Sequence, residues 1–406
     1  MPPVSKFVKI VRVLFSCRPL TGHLQPLLPL AEEARRRGHI VRFGAGEPIA
    51  STVRGMGFDS EPAGISAGES GKAVRKLIPH YDRLAPDQIR PTVFGQYLPR
   101  IEMPPRLKDL DRICATFQPD LLVHDVGELA APLAAAAAAL PWVSVGFGPL
   151  LQPEVAAAAA EAVAPAWRSR GLEPLPAAGL YAHLYVDPFP PSLQLADIGS
   201  LPATVRSRPA CGAFDAPPVS RAPPHRVYVT FGTFWNNTVP GILETLRTAI
   251  AGASDAGAEV TVTVGPDVDP AMLGPQPPNV TVDRFIPQDR LFPVCSGIVC
   301  HGGAGTMLGA LAWGVPPLLL PFRADQFHNT EQAVRAGAAL ALLPNEVTRG
   351  AITACVRRLL NDMDLAARVE AVRREVAEMP DVTEVFDRIE ALIAPRSGGS
   401  RNCLPE

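Results

Sequence analysis

Two short stretches of this chain combine residue types that could do chemistry together. The first is His301-Gly302-Gly303-Ala304-Gly305-Thr306, which follows the apolar run Gly297–Cys300 and opens a helical pattern over Thr306–Trp313. Glycines let backbone amides approach an anion closely, and a helix N-terminus adds partial positive charge. His301 offers a ring N–H and Thr306 a hydroxyl. The set suits a diphosphate, but it also suits a plain glycine-rich turn closed by a capping threonine. It lacks the Gly-Lys-Thr ending of a Walker A loop and the glycine spacing of a dinucleotide site.

The second stretch is Thr21-Gly22-His23-Leu24-Gln25-Pro26, after the strand-like run Val11–Ser16. A histidine at a loop-to-helix junction can act as a general base near neutral pH. It can equally be a helix-start side chain bonded locally. Asp125 ends the run Pro119–Asp125 and precedes a helical pattern beginning at Val126. There it can orient a base across the sheet top or cap the helix. His124 alternates to the other side of the strand and is taken as structural. Asp325 and Gln326 stand where the pattern Gln326–Ala336 begins and can cap it or meet a ligand. Phe285 suits a core position.

These residues need a frame. Strand-like runs alternate with helical ones: Val11–Ser16, a helix over Leu24–Gly38, a strand at His39–Phe43, and a short strand at Phe58–Glu61. Regularity returns with a helix over Lys108–Phe117, a strand at Pro119–His124, a helix over Val126–Ala139 and a strand at Trp142–Gly146. Between Gly64 and Arg106 the pattern blurs into long loops and irregular helices. The same logic restarts at the strand Arg226–Phe231 and runs on through Glu259–Val264, Val280–Phe285, Gly297–Cys300, Pro317–Leu320 and Ala339–Leu343. Strand–loop–helix repetition predicts buried parallel sheets. The expected fold class is α/β, with two Rossmann-like domains facing across a cleft.

Composition bounds the function. The 406 residues are enough for two cores, and 47% hydrophobic with 19% charged residues is a globular balance. A net charge of −2 argues against nucleic acid as a partner, and 6% aromatics against a single-strand stacking surface. The seven cysteines are dispersed, with no CxxC pair, which fits a reducing cytoplasmic compartment and no metal site. No membrane span is expected: the most apolar stretch, Leu129–Leu151, is broken by Pro132, Pro141 and Pro149.

Spacing then links the motifs. Asp283-Arg284-Phe285-Ile286-Pro287-Gln288, the His301–Thr306 run and Pro321-Phe322-Arg323-Ala324-Asp325-Gln326-Phe327-His328-Asn329 come in an order that resembles the donor signature of family 1 glycosyltransferases with the GT-B fold. Within that family the chain looks like the actinobacterial enzymes that put deoxysugars on antibiotics and other natural products. The resemblance implies transfer of a sugar, with inversion and without a metal or other cofactor, from a nucleotide diphosphate sugar (dTDP rather than UDP) to a hydroxyl of a small hydrophobic acceptor. It implies His23 as base with Asp125 as its orienting acid. It assigns to the donor Gly22, Thr233, Phe285, Ile286, Gln288, His301, Gly303, Ala304, Gly305, Thr306, Asp325 and Gln326. Phe285 falls where related plant enzymes carry a base-stacking tryptophan. The apolar segments Ile78–Ile101 and Phe147–Gln152 would line the acceptor pocket, although ordinary packing would use them as well.

The expected organisation is an acceptor domain over 1–215 with a linker at about 202–224 and a donor domain over 225–380. A helix over 381–395 would return to the first domain, ahead of a tail at 396–406. A homodimer is compatible with all of this. Two other readings share the fold: a nucleotide-sugar epimerase, which has no use for the Gly22-His23 pair, and a non-catalytic partner of another transferase, which would have lost the diphosphate loop or the base.

Overall fold

A computed structural model describes residues 10–194, 198–209, 224–232, 241–266 and 268–393. Within them the chain builds two parallel sheets. The first holds β1 (Arg12–Ser16), β2 (Ile40–Ala45), β3 (Asp59–Pro62), β4 (Leu121–Asp125), β5 (Trp142–Val145), β6 (Leu184–Asp187) and β7 (Thr204–Arg206), in the order β3-β2-β1-β4-β5-β6-β7. The second holds β8 (Arg226–Thr230), β9 (Glu259–Thr263), β10 (Val280–Asp283), β11 (Gly297–Cys300), β12 (Pro317–Leu319) and β13 (Leu340–Ala341), in the order β10-β9-β8-β11-β12-β13. This is the expected α/β class.

Both sheets reverse their winding direction once, at β1/β4 and at β8/β11. Helices diverge to opposite faces there and leave a crevice at the carboxyl ends of the strands, where ligands of open α/β sheets bind. Register sets the depth of each crevice: Ser16 lies beside His124, and Thr230 beside Cys300. The residues that follow β1, β4, β8 and β11 therefore come together by topology alone.

Three differences from the sequence reading stand out. Gly64–Arg106 is mostly helical: Ala67–Leu77, Pro86–Thr92, a π-helical stretch Val93–Glu102, and Met103–Phe117. Pro91 and Pro99 lie inside these helices. Each removes a backbone donor, which suits the wider i→i+5 winding and erases the 3.6-residue pattern. What holds the stretch is burial of Phe94, Tyr97 and Leu98. Strands β6 and β7 are additional, and β7 falls inside the span expected as linker. The helix after Asp125 starts only at Ala130, with turn residues before it.

The halves also exchange elements. Phe189 and Leu193 bury in the core of the second sheet, while Val385, Phe386 and Ile389 of the last helix, Val382–Ile393, join the core of the first. Among the described residues no helix is long and apolar enough to cross a membrane.

Candidate active site

His23 sits in a short helical turn, Thr21–Leu24, just past β1. Its Nδ1 lies 2.7 Å from Asp125 Oδ1 at the end of β4, across the β1/β4 switch point. The partner is on a neighbouring strand, which decides against a locally bonded helix-start histidine. Asp125 caps no helix. Its Oδ1 also accepts from the Gly127 backbone N–H at 2.7 Å, and its Oδ2 from the Arg18 N–H at 3.0 Å. The carboxylate is fully buried. Burial by itself would raise its pKa, but the hydrogen bonds from His23 and the Arg18 N–H, with the Arg18 charge nearby, outweigh it and hold the group below its ordinary value.

His23 is nearly buried, with the Phe147 ring against it at 4.1 Å between centroids. Phe147 belongs to one of the two segments expected to line the acceptor pocket. The other segment packs close by, with an Arg90 guanidinium N–H donating to the Pro149 carbonyl. His124 turns away and is held by Ser144, so it takes no part. Arg18 reaches His23 from the loop after the first strand, and Glu102, Tyr97 and Ser70 of the insertion gather behind Arg18. Sequence reasoning missed them, and only the position of Arg18 in the same loop as His23 could have signalled one of them.

Gly127 leaves no room beside this pair. A Cβ there would stand 2.8 Å from His23 Cε1 and 2.9 Å from Asp125 Oδ1. Gly127→Ala must therefore push the imidazole aside, and we expect turnover to fall on the order of tenfold. Donor affinity should hold, because the change is remote from His301. Steady-state kinetics beside nucleotide titration checks this, and unchanged turnover would mean the ring position does not matter.

At the second switch point, His301 follows β11 with its ring wedged between Gly232 and Gly303. A Cβ on Gly232 would come 2.9 Å from the ring, and one on Gly303 would overlap Nε2. Here glycine is required by contact. Burial pushes the His301 pKa down to about 4, so the ring is neutral and keeps one N–H to donate. The helix Ala304–Ala312 begins directly after Gly303, and no side chain caps its start. Thr306 accepts from Gln288 Nε2 at 3.0 Å, which ties the Phe285–Gln288 loop to that helix.

Phe285 is 62% exposed, so it is not a core residue, whereas Ile286 packs on the core. Asp325 occupies the N-cap position of Gln326–Arg335 but makes no capping bond; its Oδ2 accepts from Asn329 at 2.8 Å. Gln326 turns inward, and its Oε1 accepts from the Phe322 and Arg323 N–H groups. Gly22 faces open space. Thr233 lies outside the described residues. Asp325 and Asn329 approach Gly148 of the first half, so the two switch points share one cleft.

With this geometry in hand, comparison with known proteins is informative. Residues 247–392 match the family described as erythromycin biosynthesis protein CIII-like, C-terminal domain. The chain is 28% identical to the L-demethylnoviosyl transferase of Streptomyces niveus, over 94% of this chain and 98% of that one. It is 29% identical to the elloramycin glycosyltransferase ElmGT of Streptomyces olivaceus, over 93% and 97%. The crystal structure of the spinosyn rhamnosyltransferase SpnG complexed with thymidine diphosphate superposes with a TM-score of 0.75 at 25% identity, covering 93% of this chain and 100% of that one. Fold and relatives point the same way: this glycosyltransferase resembles the family 1 enzymes of the GT-B fold, like the actinobacterial enzymes of natural-product biosynthesis.

Proposed function

We propose that this enzyme transfers a deoxyhexose from a dTDP-sugar to a hydroxyl of a hydrophobic natural product, with inversion at the anomeric carbon. The observation that carries the reading is the pairing of two sites on one cleft: a buried His23–Asp125 dyad at one switch point and a glycine-wedged His301 before an uncapped helix start at the other. Relatives named as mycaminosyl, desosaminyl and 2-deoxy-L-fucose transferases support the donor class, and thymidine diphosphate in SpnG supports the base.

In this reading the first half binds the acceptor and the second the donor. His23 Nε2 takes the hydroxyl proton while the acceptor oxygen forms its bond to the anomeric carbon. The bond from that carbon to the diphosphate oxygen breaks on the opposite face. Asp125 shares the charge of the imidazolium. Negative charge on the leaving diphosphate meets the His301 N–H and the amides of Gly303 to Thr306, aimed before the reaction begins. Asp325 faces the sugar hydroxyls, Gln326 braces the Phe322–Arg323 backbone behind it instead of meeting the sugar as expected, Phe285 and Ile286 face the base, and Gln288, Gly22 and Thr233 complete the donor site. No step calls on a metal.

Calorimetric titration with dTDP and UDP in EDTA, on wild type and His301→Ala, tests the donor site. A hydrogen bond to a charged phosphate is worth about 1.5–3 kcal/mol, so the variant should bind dTDP tenfold or more weakly. If folded wild-type protein bound neither nucleotide, the transferase reading would be lost and a degenerate binding protein would be the better account.

A further inference from the structure

Arg18 lies just past β1 and is the most heavily bonded side chain around His23. Its Nε donates to Glu102 Oε2 at 2.8 Å, and its Nη2 to Glu102 Oε1 at 2.9 Å and to the Tyr97 hydroxyl at 3.2 Å. Glu102 also accepts from the hydroxyls of Ser70 at 2.6 Å and Tyr97 at 2.7 Å. The arginine fork is thus clamped from the helical insertion, and both charges are nearly buried. The remaining guanidinium nitrogen, Nη1, lies 3.3 Å from His23 Nε2.

A guanidinium has donors only. The ring nitrogen facing it must be the bare one, so the ring proton sits on Nδ1 and is donated to Asp125. We propose that Arg18 is a positioning residue for sugar transfer: it holds His23 in the neutral Nδ1–H tautomer with Nε2 bare, and it ties that state to the insertion through Glu102, Ser70 and Tyr97. The proposal rests on the reading of His23 as the base.

A doubly protonated His23 would set N–H against N–H and a positive charge against Arg18. Asp125 pulls the other way and favours the imidazolium. The two neighbours therefore address the two ring nitrogens in opposite senses, Asp125 accepting at Nδ1 and Arg18 presenting a donor to Nε2. An acceptor hydroxyl that donates to Nε2 replaces Nη1 on that lone pair, and its oxygen becomes a new acceptor for Nη1. The other ionisable groups around the ring are Glu102 and Tyr97 behind Arg18, and Glu128, Arg106 and Cys17 in the layer beyond Asp125. Asp325 and His301 belong to the opposite side of the cleft.

The test uses full-length protein with 15N-labelled histidine and needs no substrate. The His23 resonances are those lost in His23→Ala. Wild type should show a protonated Nδ1 and a bare Nε2; a protonated Nε2 would overturn the proposal. Arg18→Met alone would strand the buried Glu102 charge, so it is combined with Glu102→Gln. In that double variant the donor facing Nε2 is gone, so the Nε2 resonance should move and the Nε2–H tautomer should become detectable. Arg18→Lys, which keeps a donor-only group beside Nε2, should leave the Nδ1–H tautomer in place. An unchanged tautomer and an unmoved Nε2 resonance in a cooperatively folded double variant would refute the role of Arg18. If the tautomer is as expected but His23→Ala still transfers sugar at the wild-type rate, the base assignment fails and the placement of Arg18 stands.

Discussion

His23→Ala should lower kcat by about 10²–10⁴-fold while dTDP still binds, because a positioned general base contributes on that scale and His301 is left in place. Methyl for imidazole removes the only group in the dyad able to take the acceptor proton. Asp125→Asn keeps the volume but replaces a buried carboxylate that accepts from His23, Gly127 and Arg18. An amide can turn its NH2 toward Nδ1 and reverse the tautomer, so a loss of roughly tenfold or more is expected. Steady-state kinetics with a dTDP-sugar and a hydroxylated aromatic or macrolide acceptor reads both. Wild-type turnover in His23→Ala would show that the hydroxyl needs no base here. A rise in KM with kcat preserved would move His23 from proton transfer to binding.

Phe386→Ala should be the most destabilising single truncation at the chain's end. Phe386 is fully buried in the last helix, packs with the core of the first sheet and stacks on His39 at 5.6 Å between centroids. Around it, Arg37 bonds Asp387 at 2.7 Å and Glu390 at 2.8 Å, and His39 bonds Glu390 at 2.9 Å. Magnitudes decide which of these matters. Emptying a buried phenylalanine site costs about 3–5 kcal/mol, whereas an exposed ion pair is worth about 0–1 kcal/mol. Phe386→Ala should lower the melting temperature by roughly 6–20 °C for a domain of this size, and Asp387→Ala by no more than a few degrees. Scanning calorimetry of the two variants side by side gives the answer. Equal shifts would mean that the charges, and not the buried ring, fasten the helix to the first half.

Much of this enzyme could be read from residue order alone. The glycines around His301, the strand ends before them and the Gly22-His23 pair are local features: a glycine-rich turn between a strand and a helix is dictated by backbone sterics within a few residues. The alternation of strand and helix, read along the whole chain, also sufficed for two parallel sheets, because buried strands must be nearly all apolar.

Other features depended on contacts between residues far apart in the chain. The helices of Gly64–Arg106 were illegible because their prolines and glycines contradict local propensity, and only the burial of Phe94, Tyr97 and Leu98 against the first sheet outweighs it. The role of Asp125 was ambiguous between cap and partner until the β1/β4 register set it beside His23. Arg18 carried no signal beyond its place in the loop before His23, since its meaning comes from Glu102, Tyr97 and Ser70, which reach it through that same insertion. Phe285 was equally at home in a core or on a surface by type, and its exposure was settled by where the loop after β10 leaves the sheet. Local sterics wrote the turns and the alternation into the sequence. Which side chains meet in the cleft was decided by sheet order and strand register, which arise only when the whole chain packs.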